Sequence, residues 1–443
     1  MPGVQAARGQ ALSDARLRRG VGLTGVVMFG AGTAIGVSIF SVLQPAAEVA
    51  GAGLLVAIAL GIVPMLLFAT VYAWMASALP VSGASYEWPR RFLSPFVGFA
   101  IAWLRILGNV GALVVLARVL VNYLGMAFDL PGTPVVAAAI TLVFALNYLG
   151  VTVAARVQTA LMLLLIVVLA LFVASGVPKA SVETIGPLSA RGGWAVLAAV
   201  PLLISLFLGI ESAVEIGDEV RDPERTIPLG IAIAILLTAV VYTAVAATAL
   251  GLIGPAALAA SKAPLLDAAR VPLGAAALPV IVGAAAVSIL KTMNSTALVF
   301  SRSIYAMGRS GAFPPALAAV HPRFGTPHRA ILFCYVCAMA GLLMPSSLVF
   351  LLLAVNIPTM LKYMACSLCA VRLARGGGEI AAGARLRFPL PLVVAAGWAA
   401  VVAAAAIIVA GMEADVRPYL LVGGWLVVGV VVYLAYSRRA GAE

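Results

Sequence analysis

Long apolar segments alternate with short polar stretches along nearly the whole chain. A membrane-spanning helix needs about 20 apolar residues, because the hydrocarbon core is about 30 Å thick and an α-helix rises about 1.5 Å per residue. The apolar runs are continuous rather than alternating, which favours helices over a β-barrel. The pattern predicts twelve spanning helices, at residues 21–43, 52–79, 96–127, 134–152, 156–177, 193–219, 226–253, 271–308, 330–344, 347–372, 388–410 and 418–436.

Composition excludes a water-soluble protein. Of the 443 residues, 63% are hydrophobic and 10% are charged, whereas a soluble domain is about half apolar and about a quarter charged. A net charge of +12 would suggest nucleic-acid binding in a soluble protein, but here the basic residues lie mostly in short loops. We therefore expect the lipid bilayer, and no nucleic acid, as a partner.

The distribution of basic residues predicts an orientation. Twelve spans place both termini on one side of the membrane. Of the 28 Lys and Arg residues, nineteen then lie on the side of the N-terminus, five lie on the opposite side, and four lie inside predicted spans. By the positive-inside rule, the tails at 1–20 and 437–443 are cytoplasmic in a multi-pass protein of the plasma (inner) membrane.

Two predicted spans look interrupted. The first contains Gly30, Gly32 and Gly36, and the sixth contains Gly209 beside the acidic Glu211. Interrupted helices at matching places in two halves of a chain are typical of inverted-repeat transporters. An unwound stretch offers free N–H groups to a carboxylate and free carbonyls to an ammonium or a cation. An α-amino acid carries both groups, so the pattern favours an amino acid substrate.

Four motifs then resemble those of the amino acid–polyamine–organocation permeases. They are Ile35–Phe40, Ala78–Tyr86, Gly209–Glu211 with Asp218–Pro228, and Asn294–Ser295 with Ser301–Arg309. The resemblance implies alternating access by a five-plus-five inverted repeat whose helices 1 and 6 are discontinuous. The first repeat would span 21–178 and the second 193–372, and 388–436 would hold two further helices.

The resemblance also implies a set of substrate-binding residues. Backbone amides of Val37 and Ser38 would take the substrate carboxylate. Carbonyls near Ala34 and at Ser205, Leu206 and Leu208 would take its ammonium. The full predicted set is Gly30, Ala34, Gly36, Val37, Ser38, Asn109, Ser205, Leu206, Leu208 and Glu211.

The sequence departs from the family pattern at three places. Ser38 stands where Gly is usual, and Ser205 stands where many members carry an aromatic gate. Leu165 stands where proton-coupled members carry a mid-helix Lys in the fifth span. Proton coupling therefore cannot be carried over from that residue.

Charged residues inside predicted spans are costly and mark candidate functional positions. Glu211 and Glu215 share a helix face. Two desolvated carboxylates do not both stay charged without a nearby cation, so one is protonated or pairs with Lys291 or Lys362. Lys291 could supply the missing positive charge or proton, or form a fixed ion pair with Glu215. Glu211 has three open roles: proton coupling, substrate contact, or holding the broken helix. The coupling candidates are Lys291, Glu211, Glu215, Asn294 and Ser295.

The remaining signals predict no further chemistry. The charged loop 218–225 is expected to be a solvated turn, with a cytoplasmic gate as the alternative. Four cysteines form two C-x-x-C pairs inside spans, where small packing residues are expected rather than a metal site. Common catalytic motifs are missing, so we expect no enzyme and no cofactor, with the proton as candidate coupling ion. The predicted function is secondary-active transport of α-amino acids; the alternative is a polyamine or amino-acid/amine exchanger. Which amino acid is carried, and the oligomeric state, are not predicted.

Overall fold

The computed structural model describes Leu17 and residues 19–36, 38–204, 206–343, 348–412 and 416–440. Within these ranges the regular elements are helices, with two isolated β-bridges, Val21 to Val220 and Ser82 to Ile216. The α-helices are α1 (Leu23–Ala34), α2 (Ser38–Ser41), α3 (Leu43–Ala50), α4 (Leu54–Ala78), α5 (Ala84–Phe92), α6 (Pro95–Leu124), α7 (Gly132–Tyr148), α8 (Val151–Gly176), α9 (Val182–Ile185), α10 (Gly192–Ile204), α11 (Pro223–Ala260), α12 (Pro264–Leu273), α13 (Ala277–Arg309), α14 (His328–Ala340), α15 (Leu348–Gly376), α16 (Glu379–Ala382), α17 (Leu390–Gly411) and α18 (Arg417–Ala440). The 3₁₀ helices are Gly51–Gly53, Val177–Lys179, Ile210–Glu215, Gly217–Glu219, Gly274–Ala276, Pro315–Ala318 and Gly341–Leu343.

The helices have the lengths and composition of membrane spans. In the described ranges, nine helical segments are long and apolar enough to cross a bilayer: Leu23–Phe40, Leu43–Ala78, Pro95–Leu124, Val151–Lys179, Pro223–Ala260, Pro264–Arg309, Leu353–Gly376, Leu390–Val409 and Arg417–Ala435. Three shorter apolar helices, Gly132–Tyr148, Gly192–Ile204 and His328–Leu343, lie at the predicted fourth, sixth and ninth spans. The protein is therefore an all-helical, multi-pass membrane protein. The count of twelve spans and the division into two repeats stay predictions.

Glycines interrupt the chain at two predicted span boundaries, and at one of them the structure differs from the prediction. The eighth span was predicted to begin at residue 271, but α13 begins at Ala277. A separate helix, α12, precedes it, and Gly274 with φ +55° makes the turn between them. In α11 the backbone leaves the helical region at Gly254, with φ +75°, directly before Pro255. Positive φ is accessible to glycine at little cost, so these residues set the bends.

The core of the molecule surrounds α6. In the most apolar part of that helix 83% of the surface is buried inside the protein, against 17% for α18 at the periphery. Helices α13 and α15 pack along α6. These three helices carry Asn109, Lys291 and Lys362. All three side chains are buried, so these polar groups lie inside the helical fold.

Both predicted helix breaks are present in the described residues. Helix α1 ends at Ala34, and Ile35 leaves the helical region with φ −73° and ψ 66° before α2 begins at Ser38. Helix α10 ends at Ile204, a turn covers 206–209, and a 3₁₀ helix follows from Ile210. The two breaks lie against each other, since a Cβ atom on Gly30 would lie 2.8 Å from the carbonyl oxygen of Ile210.

Candidate functional site

The carbonyls exposed at the first break are bound by side chains from three places on two helices. Tyr242 on α11 donates its hydroxyl to the Ala34 oxygen at 2.6 Å. Ser288 on α13 donates to the Ile35 oxygen at 3.2 Å. Backbone polar groups freed inside a membrane protein need such partners, because each unsatisfied group costs several kcal/mol in hydrocarbon. Neither Tyr242 nor Ser288 could be predicted as a site residue from the sequence, because neither residue type is unusual within an apolar span.

Lys291 is the third donor at this break. Its ammonium, fully buried on α13, donates to the carbonyl oxygens of Gly32 and Ile35. In the part of the chain that the structure describes it forms no ion pair, so the alternative pairing with Glu215 is wrong. Backbone carbonyls at the helix break, instead of a carboxylate, accept the hydrogen bonds of this ammonium. A cation seated between freed carbonyls is the arrangement by which broken transporter helices hold coupling ions.

Glu211 holds the second break. One carboxylate oxygen accepts a hydrogen bond from the backbone N–H of Gly209 at 3.1 Å, and the other lies 2.7 Å from the ammonium of Lys362. The same ammonium lies 4.5 Å from the ring centroid of Tyr363. Of the two expected pairing lysines, the structure selects Lys362. These contacts support the role of Glu211 in holding the broken helix, and they place the ion pair of Glu211 and Lys362 beside the break.

Glu215 lies one turn further on and has an incomplete set of partners. One carboxylate oxygen accepts from the backbone N–H of Ser85 at 3.4 Å, and the other has no hydrogen-bond partner in the described structure. On α6, Arg105 donates to the side-chain oxygen of Asn109 at 3.4 Å, which leaves the guanidinium Nε and the Asn109 amide nitrogen unsatisfied. Buried polar atoms without partners are rare and call for a ligand or water.

The side chains of Asn294 and Ser295 form no hydrogen bond with the break in the first helix in the described structure. Asn294 donates to the side chain of Gln158 and to the Ala154 carbonyl on α8, both at 3.2 Å, and accepts from Asn147 on α7 at 3.0 Å. This network ties α13 to α7 and α8. Ser295 is buried, and its hydroxyl has no hydrogen-bond partner in the described structure. The structure therefore gives Asn294 a packing role and leaves the coupling role to be tested.

The other predicted residues are accounted for as follows. Val37 and Ser205 lie outside the described residues. Ser38 begins α2, and Gly36 donates its N–H to the Ala34 oxygen at 2.7 Å. Leu206 is buried and Leu208 half-buried in the turn of the second break, and Leu165 is buried on α8.

The loop after the second break is not a fully solvated turn, so that prediction is wrong for Glu219. Its carboxylate and the Arg302 guanidinium form two hydrogen bonds, of 2.8 and 3.0 Å, and both side chains are fully buried. The backbone of this loop also accepts from Gly20 and Val21. The neighbouring Asp218, which is half-buried, pairs with Arg309, and the exposed Asp222 pairs with Arg385. The buried pair thus joins the loop to α13, and the backbone hydrogen bonds join the loop to the chain preceding α1.

Comparison with known protein families gives a match along nearly the whole chain. A family model described as amino acid permease matches residues 21–433. The chain belongs to the amino acid permease family. The motifs read from the sequence therefore place this permease correctly among the amino acid–polyamine–organocation transporters.

Individual relatives carry more specific names. An uncharacterised transporter of Mycobacterium tuberculosis is 34% identical over 73% of this permease and 74% of its own length. The branched-chain amino acid permease BcaP of Bacillus subtilis is 26% identical over 96% of this chain and 94% of its own. A methylthioribose transporter of the same organism is 26% identical over 94% and 92%. The permease is similar to transporters along nearly its whole length.

Proposed function

We propose that this permease carries an α-amino acid across the plasma membrane by secondary-active alternating access. The observation that carries the proposal is the pair of helix breaks that meet in the core, at Ile35–Gly36 and at 206–209. Freed N–H groups at Val37 and Ser38 would bind the carboxylate, and carbonyls at Leu206 and Leu208 in the second break would bind the ammonium. Asn109 would contact the substrate from α6.

The framework of the proposal is the predicted twelve-span topology. The two repeats, 21–178 and 193–372, would rock against each other around the breaks, and both termini would be cytoplasmic. The excess of arginine on the N-terminal side supports this orientation. Matching breaks in the first helix of each half support the repeat.

We propose the proton as the coupling ion, with Lys291 as the group that carries it. The ammonium of Lys291 already occupies the carbonyls of Gly32 and Ile35, which a metal cation would need. Transport is therefore expected to be independent of sodium. Loss of a proton from Lys291 would release the two carbonyls and loosen the break, which links protonation to the conformation of α1.

An apolar amino acid is the substrate we favour. The name of the Bacillus subtilis relative, a branched-chain permease, supports this choice. Glu211, the acid nearest the second break, is already paired with Lys362, so it offers no free charge to a cationic substrate. A second candidate, a polyamine or an amino-acid/amine exchange, is favoured by one observation: the unpartnered carboxylate oxygen of Glu215 could accept an ammonium.

The test is a thermal-shift screen of the purified protein with branched-chain, cationic and acidic amino acids, diamines and methylthioribose. Ligands that stabilise the protein are then measured for uptake into proteoliposomes, with and without a pH gradient, with and without sodium, and with and without internal substrate. We expect leucine, isoleucine or valine to stabilise the protein and to accumulate with an inward proton gradient. Stabilisation by diamines alone, or uptake that needs internal amine and no gradient, would select the second candidate. Binding of methylthioribose without any amino acid would exclude both.

A further inference from the structure

A cavity of about 700 Å³ lies on the side of the molecule, away from the two helix breaks. Its walls come from α4 and α11, and the chain that precedes α17 closes one end. Leu66 and Ala69 line it from α4, and Leu229, Ala232 and Ile235 line it from α11. This volume is in the range of small-molecule sites, which run from about 300 to 1,000 Å³.

The cavity opens toward the hydrocarbon of the bilayer. Leu66 at its wall is 50% exposed and Leu229 is 43% exposed, and Leu236 further along α11 is 66% exposed. Apolar side chains exposed on membrane-spanning helices meet lipid tails. The groove runs from Arg225 to Ile235 along α11, about 15 Å at the rise of an α-helix, which is half the thickness of the hydrocarbon core.

The closed end of the groove is charged. Arg225, Glu224 and Arg385 line it there. Arg385 is held by two carboxylates, Asp222 and Glu224, both at 3.0 Å. Arg225 is exposed and forms no ion pair in the described part of the chain, and Arg221 and Arg387 lie nearby in sequence, also exposed. The two carboxylates share Arg385, and with Arg221, Arg225 and Arg387 this end carries four arginines against two carboxylates, an excess of positive charge.

We propose that this groove binds one anionic phospholipid, with an acyl chain between α4 and α11 and the phosphate at Arg225. Apolar walls that open to the bilayer favour a lipid over a soluble anion, and the positive end favours an anionic headgroup over a zwitterionic one. Basic pockets between spanning helices are typical sites for such headgroups. The proposal does not depend on which substrate the permease carries.

The position of the groove also places the lipid beside the loop that follows the second helix break. Its charged end includes Arg385, whose partner Asp222 lies three residues after the buried Glu219. A phosphate at Arg225 would therefore border the loop that joins the second break to α11. The bound lipid would stabilise this loop in its present position.

The experiment measures binding of lipid to the purified full-length protein. Native mass spectrometry and thermal shift would be recorded with phosphatidylglycerol, with phosphatidylcholine of the same acyl chains, and with soluble glycerol phosphate. The variants are Arg225→Gln, which removes the charge, and Ala232→Trp, which fills the groove from an exposed wall position. Their matched controls are Arg329→Gln and Val240→Trp, exposed positions that do not line the cavity.

Phosphatidylglycerol is expected to bind and to raise the melting temperature, whereas phosphatidylcholine and glycerol phosphate are not. Arg225→Gln should weaken the binding of phosphatidylglycerol about fivefold, since one basic residue contributes about 1 kcal/mol to an anionic lipid. Ala232→Trp should abolish the specific binding, and both controls should keep it. The proposal is overturned if phosphatidylcholine binds equally well, if glycerol phosphate gives the same shift, or if both groove variants bind as the parent does.

Discussion

The ion pair between Glu211 and Lys362 shows what residue patterns predict and where they stop. The sequence places both groups inside spans and requires a cation for the closely spaced Glu211 and Glu215. It does not choose between Lys291 and Lys362, because the choice depends on how α13 and α15 pack against breaks far away in the chain. In the structure, Lys362 pairs with Glu211 at the second break, and Lys291 donates to a carbonyl of the first break.

We expect Glu211→Gln and Lys362→Met each to destabilise the protein by about 3–5 kcal/mol, because each leaves an uncompensated charge in a buried site. The double variant should be more stable than either single variant, since it removes both charges together. Thermal and denaturant unfolding of the purified protein, in one detergent, would measure all three. Additive losses in the double variant would show that the two groups do not act as a pair.

Lys291→Met tests the role of the ammonium at the first break. It removes hydrogen bonds from a charged donor to two carbonyls, each of which contributes about 1.5–3 kcal/mol. Uptake should therefore fall at least about tenfold, and its dependence on a pH gradient should disappear. Lys262→Met, at an exposed lysine, is the control. Unchanged uptake with an unchanged pH profile would remove Lys291 from the coupling mechanism.

At the scale of elements, the glycine pattern located both breaks but could not give their geometry. The first was expected around Gly30–Gly36, and the helix ends at Ala34; the second was expected around Gly209, and the backbone there has φ +101°. Glycine content indicates where unwinding is tolerated. Which carbonyls are freed, and that Tyr242 and Ser288 bind them, depends on the approach of α11 and α13.

Gly209→Ala tests the contact between the two breaks. The positive φ would cost about 1–2 kcal/mol with a side chain present, and the new Cβ atom would lie 2.5 Å from the methyl group of Thr33 in α1. We expect loss of stability and of uptake. Gly283→Ala is the control, because a Cβ atom there meets nothing within 4 Å.

Adding Thr33→Ser to Gly209→Ala separates the two causes. The serine removes the clashing methyl group, and its hydroxyl can keep the hydrogen bond that Thr33 makes to the Phe29 oxygen at 2.7 Å. Part of the lost stability should return, and the part due to the backbone should not. No recovery at all would mean that the breaks are not in contact through Thr33.

At the scale of the whole molecule, the sequence predicted a multi-pass helical protein because hydropathy alone determines that class. It was wrong about the loop after the second break because charges in a loop are usually solvated. Here the loop contacts distant parts of the chain: Val220 forms a β-bridge with Val21, and Glu219 forms an ion pair with Arg302 on α13. Local composition does not encode contacts between residues so far apart in the chain.

The buried pair of Glu219 and Arg302 should keep this end of the molecule closed. It joins the loop to α13, and breaking a buried ion pair costs about 3–5 kcal/mol. A shift of that size moves a two-state equilibrium by more than about tenfold. We therefore expect Glu219→Gln to raise the rate at which a cysteine at Ser85, buried in α5, reacts with a maleimide added from the side that carries this loop. The measurement uses a background in which the four native cysteines are replaced.

Asp218→Asn is the matched control, because its partner Arg309 is 38% exposed and such pairs contribute little. If Glu219→Gln stays folded and Ser85→Cys reacts no faster than in the control, the pair fixes the loop without controlling access to the site.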